Sequence, residues 1–384
     1  MKKICTVISS RANYSSIKSV LHAIQCHPKL ELQIIAAASA VLSRYGQVVN
    51  LIESDGFDIA ERLYILLEGE TPATMAKSTG IGLIELSSAF DRLKPDIVIT
   101  VGDRFETMAT TLAAAYMNIP IAHTMGGEVS GTIDESIRHA VTKFAHIHFP
   151  ATHKAAERII KLGERPDMVF NVGCPRIDLI ANILSKTCET PEQNIFDLGV
   201  GEKLDLSKPF LLVSQHPVTT EFGEGEAQIN ETLKAVYDSG MQTIMLWPNA
   251  DAGSEDIARG IRKWREQGVS QNMHFFKNLP VDTYIMLMHN AACLVGNSSS
   301  GIREGAFIGT PVVDIGTRQS ARERGNNVIE VKPNAHQIRM AIAKQIAHGR
   351  YSMDKLYGDG HAGEKIATIL ANIGNIDVQK RITY

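Results

Sequence analysis

The sequence predicts two α/β domains, each a parallel sheet covered on both faces by helices, and three observations predict it. The chain's 384 residues exceed the roughly 250 to 300 residues at which a single hydrophobic core stops growing. Short apolar runs rich in β-branched residues alternate with helix-length segments, which is how a parallel sheet is written in sequence. That alternation also occurs twice, in two series separated by a polar stretch.

The first series is Ile4 to Ile8, Leu32 to Ala36, Asp96 to Val101, Pro120 to His123, Ile147 to Phe149 and Val169 to Val172. Met1-Lys2-Lys3 precedes it, but the apolar run behind the two lysines is too short for a signal-peptide core and is a first strand instead. The second series is Phe210 to Ser214, Thr243 to Trp247, His274 to Phe276, Cys293 to Gly296, Pro311 to Ile315 and Val328 to Val331. Between them, Ser185 to Pro209 is polar, holds Pro191, Gly199 and Gly201 and keeps no period, so the connection falls there. The expected domains therefore meet at this connection, 1–185 before it and a second domain from 208. There is no short-period repeat and no low-complexity tract.

A composition of 44% hydrophobic and 21% charged residues is that of a globular protein. The formal net charge of -3 argues against nucleic acid or an anionic membrane as the main partner, since both need concentrated Lys and Arg. A nucleotide needs only a few cations placed locally. No run of about 18 apolar residues marks a membrane helix, and a cytoplasmic protein is expected. The five cysteines, Cys5, Cys26, Cys174, Cys188 and Cys293, are scattered without zinc-site spacing and are expected to be free thiols in a reducing compartment. No Asp/His cluster has metal-ligand spacing, so neither a metal nor a cofactor is expected.

Open parallel sheets bind ligands beyond the carboxyl ends of their strands, and two such sheets facing each other share one interdomain cleft. The segments after the strands therefore carry the chemistry. Val295-Gly296-Asn297-Ser298-Ser299-Ser300-Gly301-Ile302-Arg303-Glu304 leaves a strand through hydroxyl residues and glycine before a helix. Such a turn either binds a pyrophosphate through free N–H groups and hydroxyls or merely caps the helix through Ser298. Glu304 is placed to reach a ribose diol and Arg318 to neutralise phosphate, although singly each reads as a surface charge. Gly80-Ile81-Gly82 is followed by Glu85 where a third glycine would stand, and neither a P-loop nor a Gly-x-Ser-x-Gly elbow occurs.

In the first half, Gly102-Asp103-Arg104-Phe105-Glu106 puts an acid and a base side by side after a strand, as a functional pair or as a surface ion pair. Ala122-His123-Thr124-Met125-Gly126-Gly127-Glu128 leaves the next strand, and Asp134, Glu135, Arg138 and His139 follow in a helical segment. That density of acids and imidazoles suits proton abstraction from an unactivated carbon. In the second half, His216 ends one strand in Ser214-Gln215-His216-Pro217, as a structural or a functional histidine, and Trp247-Pro248-Asn249-Ala250-Asp251 ends the next.

Together these segments resemble the UDP-N-acetylglucosamine 2-epimerases, and in particular the hydrolysing branch that includes bacterial sialic-acid biosynthesis enzymes and the epimerase domain of the vertebrate bifunctional epimerase/kinase. The resemblance runs from Ile4 to about Ile366. It rests on Gly102-Asp103-Arg104-Phe105, Gly126 through Asp134, Ser136-Ile137-Arg138-His139, Gly173-Cys174-Pro175, Gln215 through Thr220, Gly296-Asn297-Ser298-Ser299 and Gly316-Thr317-Arg318-Gln319. It implies a GT-B fold: two Rossmann-like domains facing an interdomain cleft, UDP held mainly by the second, and a last helix, from about Tyr357 onward, returning to the first. It also implies that the second domain, 208–360, ends there and that 361–384 is a terminal segment.

Carried over by position, the resemblance implies that Arg11 and Ser15 approach the phosphates, with Arg104 beside them on the substrate side. His216, Asn249, Ser298, Ser299, Glu304 and Arg318 bind the nucleotide, and the backbone of Leu279 reads uracil. Asp103, His123, Asp134 and Asp178 surround the sugar. The implied chemistry is anti elimination of UDP after loss of the C2 proton, then addition of water to the glycal to leave the manno configuration. Asp103, Glu128 and Asp134 do the acid/base work, His123 stands with them, and His216 stabilises the leaving group. The implied substrate is UDP-N-acetylglucosamine, with UDP-N,N'-diacetylbacillosamine second; the implied assembly is a homodimer or a dimer of dimers.

Three positions depart from the family pattern: Met125 where several relatives carry a catalytic Glu, Asn13 where the vertebrate enzyme has Asp, and Ala40 where many have His. Glu128, three residues beyond Met125, is the acid available in its place. A GT-B glycosyltransferase is the alternative class, which would show an acceptor groove and one base rather than several carboxylates. A silent UDP-sugar sensor is a weaker alternative, opposed by the intact Asp103, Glu128, Asp134 and His216.

Overall fold

Strands β1 (Lys2–Ile8), β2 (Leu30–Ala37), β3 (Glu61–Leu63), β4 (Ile97–Val101), β5 (Ile121–Thr124) and β6 (Ile147–Phe149) form one sheet in the order β3-β2-β1-β4-β5-β6, every pair parallel. The computed structural model describes residues 1–68, 71–129, 133–186, 193–248, 253–268, 271–277 and 279–383, with backbone alone for Arg44, Pro72, Ile133, Asp134, Gln193, Asn194 and Thr219. Helices α1 (Arg11–Gln25), α2 (Val48–Ser54), α3 (Pro72–Leu93), α4 (Phe105–Tyr116), α5 (Ile133–Phe144), α6 (His153–Lys161) and α7 (Pro175–Lys186) connect and follow these strands.

Because helices cover both faces, the strands are apolar throughout rather than alternating. Successive side chains of β1 still divide by face: Ile4 and Ile8 enter one core with Tyr14, Ile17 and Leu21 of α1, while Cys5 and Val7 enter another with Leu86 and Phe90 of α3. Local caps set where helices begin. Ser10 Oγ accepts from Asn13 N at 3.2 Å to start α1, and Thr152 Oγ1 accepts from Ala155 N at 3.2 Å to start α6.

The second sheet repeats this plan with β7 (Val200–Gly201), β8 (Phe210–Ser214), β9 (Gln242–Leu246), β10 (Met273–Phe276), β11 (Cys293–Gly296), β12 (Val312–Ile315) and β13 (Val328–Val331). Its order is β13-β12-β11-β8-β9-β10-β7, all parallel except the antiparallel edge strand β7. Helices α8 (Gly225–Asp238), α9 (Ser254–Glu266), α10 (Val281–Asn290), α11 (Ser299–Ile302), α12 (Glu304–Ile308) and α13 (Ala335–His348) accompany it.

The chain divides into two units at Leu179 and again at Tyr357: Met1–Val129, Ile133–Leu179 and Tyr357–Tyr384 form the first, and Ile180–Leu356 belongs to the second. The last helix, α14 (Ala362–Asn372), buries Ile366, Ala367 and Leu370 in the first unit's core. Lys2 Nζ donates to Leu370 O at 2.7 Å and to Ile373 O at 2.8 Å. The Asp178 carboxylate accepts from Ala362 N at 2.9 Å and from Gly363 N at 2.7 Å, satisfying donors that the first turn of α14 leaves open. Beyond the helix, Lys380 Nζ lies 2.6 Å from Oε2 of Glu164, whose Oε1 holds Lys143 at 2.6 Å. Burial raises the Glu164 carboxyl, but hydrogen bonds from His148, Lys143 and Lys380 together hold it down to about 2.

Sequence and structure differ at the edges. Glu61–Leu63 and Val200–Gly201 are strands too short and too polar to announce themselves. Val169 to Val172 is not a strand: it makes one bridge, His148 with Val169, and Phe170 N donates to His148 O at 2.9 Å. Gly173, at φ 91°, then turns the chain away. Among the described residues no helix is long and apolar enough to cross a membrane.

Asp178→Ala removes the acceptor for two N–H groups that α14 leaves open in a buried place. The expected loss is about 1–3 kcal/mol of stability, read as a lower urea midpoint. Asp178→Asn should recover part of it, because one oxygen is kept.

Candidate functional site

In each sheet the strand order reverses once, between β1 and β4 in the first unit and between β8 and β11 in the second. The loops leaving adjacent strands diverge there, opening a crevice at their carboxyl ends. Of the residues singled out by sequence, Asp103, His216, Ser298 and Arg318 lie at these two places.

At the first reversal, Asn13 bridges the strand ends. Its Oδ1 accepts from Ser9 N at 3.3 Å, just after β1, and its Nδ2 donates to Val101 O at 3.1 Å, the last residue of β4. An aspartate here would have no donor for Val101. Gly102, at φ 78°, turns the chain out of β4 and presents Asp103. The Asp103 carboxylate pairs with Arg138 of α5, whose other terminal nitrogen donates to Glu128 O at 2.8 Å. The Arg138 side chain is 4% exposed and that of Asp103 25%, so the cation is buried while the acid keeps an open face. One guanidinium thus ties the loop after β4 to the loop after β5.

That second loop turns sharply. Met125 has φ 59° and Gly127 has φ 74°. A Cβ on Gly127 would stand 2.2 Å from Ala155 O, and one on Gly126 would stand 3.0 Å from His123 Nδ1. The Gly-Gly pair is therefore required by close approach as well as by conformation. Met125 packs against the core, its sulfur 3.8 Å from the Cys174 thiol. Glu128 follows, largely buried.

His123 is fully buried, behind this rim rather than on it. Its Nε2 lies 3.3 Å from Gly102 O and its Nδ1 3.3 Å from Thr142 Oγ1. A carbonyl only accepts, so Nε2 carries the proton, while the Thr142 hydroxyl beside Nδ1 donates to Arg138 O at 3.0 Å. Burial first, and then the neighbouring His148, push its pKa down to about 3. The expected catalytic His123 instead has its ring buried in this structure, where it braces the Gly102 turn. Asp178 is corrected likewise, since both its oxygens serve the start of α14.

The other first-unit residues are dispersed. Arg104 precedes α4 and lies 3.4 Å from Glu106, not against Asp103, its side chain 61% exposed. Arg11 is exposed at the start of α1, and Ser15 Oγ donates back to Arg11 O at 2.9 Å. The backbone of Asp134 begins α5, and its side chain lies outside the described residues.

At the second reversal another carboxamide joins the strand ends. Asn297 Oδ1 accepts from His216 N at 2.7 Å and its Nδ2 donates to His216 O at 2.8 Å, linking the loops after β11 and β8. Asn297 O accepts from Gln319 Nε2 at 2.9 Å and from Arg318 at 3.3 Å, adding the loop after β12. Gly296, at φ 138°, lets the strands close: a Cβ there would stand 2.1 Å from Ser214 O. His216, Ser298 and Arg318 are thus brought together around Asn297. Ser298 caps α11, Ser299 begins it, both half-buried, and Glu304 is buried at the start of α12. Leu279 is half-buried before α10. Asn249 lies outside the described residues.

Asn13, Arg138 and Asn297 were not assigned roles from sequence. The available signal was their place: each lies within a few residues of a strand end or one turn into the helix that follows.

Two Rossmann-like units in one chain, each with charged and hydroxyl residues gathered where its strand order reverses, define a GT-B protein. The family model described as UDP-N-acetylglucosamine 2-epimerase matches residues 22–371, and the chain belongs to that family. It is 32% identical over 97% of its length, and 96% of the relative's, to the UDP-N,N'-diacetylbacillosamine 2-epimerase (hydrolyzing) of Legionella pneumophila. It is 30% identical over 99% of its length, and 98% of the relative's, to the UDP-N-acetylglucosamine 2-epimerase of Neisseria meningitidis. The solved structure of UDP-GlcNAc 2-epimerase from Neisseria meningitidis bound to UDP-GlcNAc matches with a TM-score of 0.80 at 18% identity, over 96% of this chain and 99% of that one.

Because His123 binds a proton only near pH 3 when folded and near its ordinary 6.5 when unfolded, the unfolded chain takes up more protons between those values. The stability that neutral His123 contributes is complete above 6.5 and is lost as the pH falls through that window. At about 1.4 kcal/mol per pH unit, the loss by about pH 5 is about 2 kcal/mol. Urea midpoints at about pH 7.5 and about pH 5 measure it, and His123→Gln should narrow the difference between them.

Proposed function

We propose that the chain is a hydrolysing 2-epimerase that converts UDP-N-acetylglucosamine and water to N-acetylmannosamine and UDP. The observation that carries this is the Arg138 bridge, which holds Asp103 and Glu128 beside each other at the ends of β4 and β5, in a chain whose relatives are named 2-epimerases. Epimerisation through elimination needs a base for the C2 proton and an acid to return one on the other face.

In the proposed sequence a carboxylate among Asp103, Glu128 and Asp134 takes the C2 proton as the bond from C1 to the UDP oxygen breaks, leaving a 2-acetamidoglucal. Water then adds its oxygen to C1, giving one proton to a carboxylate of the group, and a carboxylic acid of the same group delivers a proton to C2 to give the manno configuration. Met125 has a thioether where relatives have an acid and cannot transfer a proton, so Glu128 serves at that rim. His216 and Arg318, with Ser298 and Ser299, face the phosphates, where negative charge grows as UDP leaves. Arg11, Ser15 and Arg104 are further substrate-binding residues, and Asn249, Leu279 and Glu304 hold the nucleoside.

UDP-N,N'-diacetylbacillosamine is the second reading, supported by the relatives from Legionella pneumophila and Campylobacter jejuni, 32% and 33% identical, that are named for it. Family membership removes the reason for a glycosyltransferase. We place the protein in the cytoplasm, which suits the free thiols Cys5, Cys26, Cys174 and Cys293. We also propose a homodimer or a dimer of dimers, supported by Tyr116, Tyr64 and Ile84, which are 81%, 69% and 65% exposed on the first unit. A monomer mass by light scattering would refute it.

Incubation with UDP-N-acetylglucosamine in D2O should yield UDP and N-acetylmannosamine deuterated at C2, followed by proton NMR. Turnover of the bacillosamine nucleotide alone would move the substrate to the second reading, and release of UDP without C2 deuterium would refute elimination. Asp103→Asn and Glu128→Gln should each lower kcat by about 10²–10⁴-fold while KM changes far less.

A further inference from the structure

Three hydroxyls form a chain in the second unit, and the proposed reaction uses only the last of them, Ser298. Tyr284 Oη, from α10, lies 2.6 Å from Ser300 Oγ, and Ser300 Oγ lies 2.8 Å from Ser298 Oγ. Ser298 Oγ also accepts from Ser300 N at 3.4 Å. Ser300 is buried, while Ser298 and Tyr284 are half-buried, so the chain runs through the protein and ends on the loop after β11.

The direction of the protons follows from the donors. A phenol is a stronger donor and a weaker acceptor than an aliphatic hydroxyl, which favours Tyr284 giving its proton to Ser300. Ser300 then gives its own to Ser298. A serine oxygen has two acceptor lone pairs; those of Ser298 are taken by Ser300 N–H and Ser300 O–H. Its remaining capacity is its own proton, which must point away from Ser300. An anion at the loop reinforces the same direction, because each bond in such a chain polarises the next.

We infer that Tyr284 is a positioning residue for the nucleotide's phosphates, acting through Ser300 to hold the Ser298 hydroxyl as a committed donor. The inference rests on the proposed binding of UDP at Ser298. Uridine, which lacks phosphates, is the control that separates this role from a general packing role for the ring.

The test measures binding of UDP and of uridine by calorimetry to the full-length protein, to Tyr284→Phe, to Ser298→Ala and to the double variant. Tyr284→Phe should weaken UDP binding about three- to tenfold and leave uridine binding unchanged. Ser298→Ala should weaken UDP at least as much, and adding Tyr284→Phe to it should cost nothing further. Equal weakening of UDP and uridine by Tyr284→Phe, or full additivity in the double variant, would overturn the relay. If Ser298→Ala lowers UDP affinity and Tyr284→Phe does not, the relay alone fails. If wild-type protein binds UDP and Ser298→Ala does not weaken it, the placement of phosphate at Ser298 fails with it.

Discussion

A carboxamide at the reversal of each sheet is the interaction on which both halves of this molecule depend. Where strand order reverses, adjacent parallel strands send their loops in opposite directions, and nothing in the β-ladder holds the diverging ends together. Backbone groups there need partners that the sheet no longer supplies. Asn13 and Asn297 supply them, each offering one acceptor and one donor in a fixed plane, across β1 and β4 in one case and β8 and β11 in the other. A carboxylate offers only acceptors, and a hydroxyl donates and accepts at one atom, so it cannot reach two separated strand ends as a carboxamide does. The same side chain therefore appears at the same topological place in two units that share no sequence repeat.

The chemistry-bearing residues hang from these stitches. In the first unit Asn13 holds Val101, and Gly102 and Asp103 follow directly; His123 braces the Gly102 carbonyl from below. Arg138 then joins that loop to the next. A buried guanidinium is costly unless its donors are matched, and here a carboxylate and a backbone carbonyl match two of them. In the second unit Asn297 holds His216 with its side chain and Arg318 and Gln319 with its carbonyl.

The central strands were legible because burial on both faces makes them nearly unbroken apolar runs, and that pattern survives in a single sequence. Edge strands were not: Glu61–Leu63 and Val200–Gly201 are set by backbone pairing with a neighbour, not by their own side chains. The run Val169 to Val172 failed for the opposite reason, having the composition of a strand but a single bridge. At the site, sequence located the loops but not which side chains face outward. Asp103, His216, Ser298 and Arg318 lie where their strand ends predict. His123 alternates inward on β5, and Asp178 faces α14, a contact between residues 184 apart in the chain that no local pattern reports.

Residue 125 shows how backbone geometry and chemistry meet. At φ 59° its backbone occupies a region that a long side chain enters at a cost of roughly 1–2 kcal/mol, and the turn continues through two glycines that close contacts with His123 and Ala155 require. The methionine offsets part of that cost by packing its sulfur against Cys174 and the core. An acid in the same conformation would bring a charge towards that apolar surface. With methionine there, the first ionisable group after β5 is Glu128, whose carbonyl is fixed by the guanidinium that also holds Asp103. In the proposed reaction one buried arginine thus fixes the Asp103 carboxylate and the backbone of Glu128, and the acid at this rim stands three residues further along the loop than position 125.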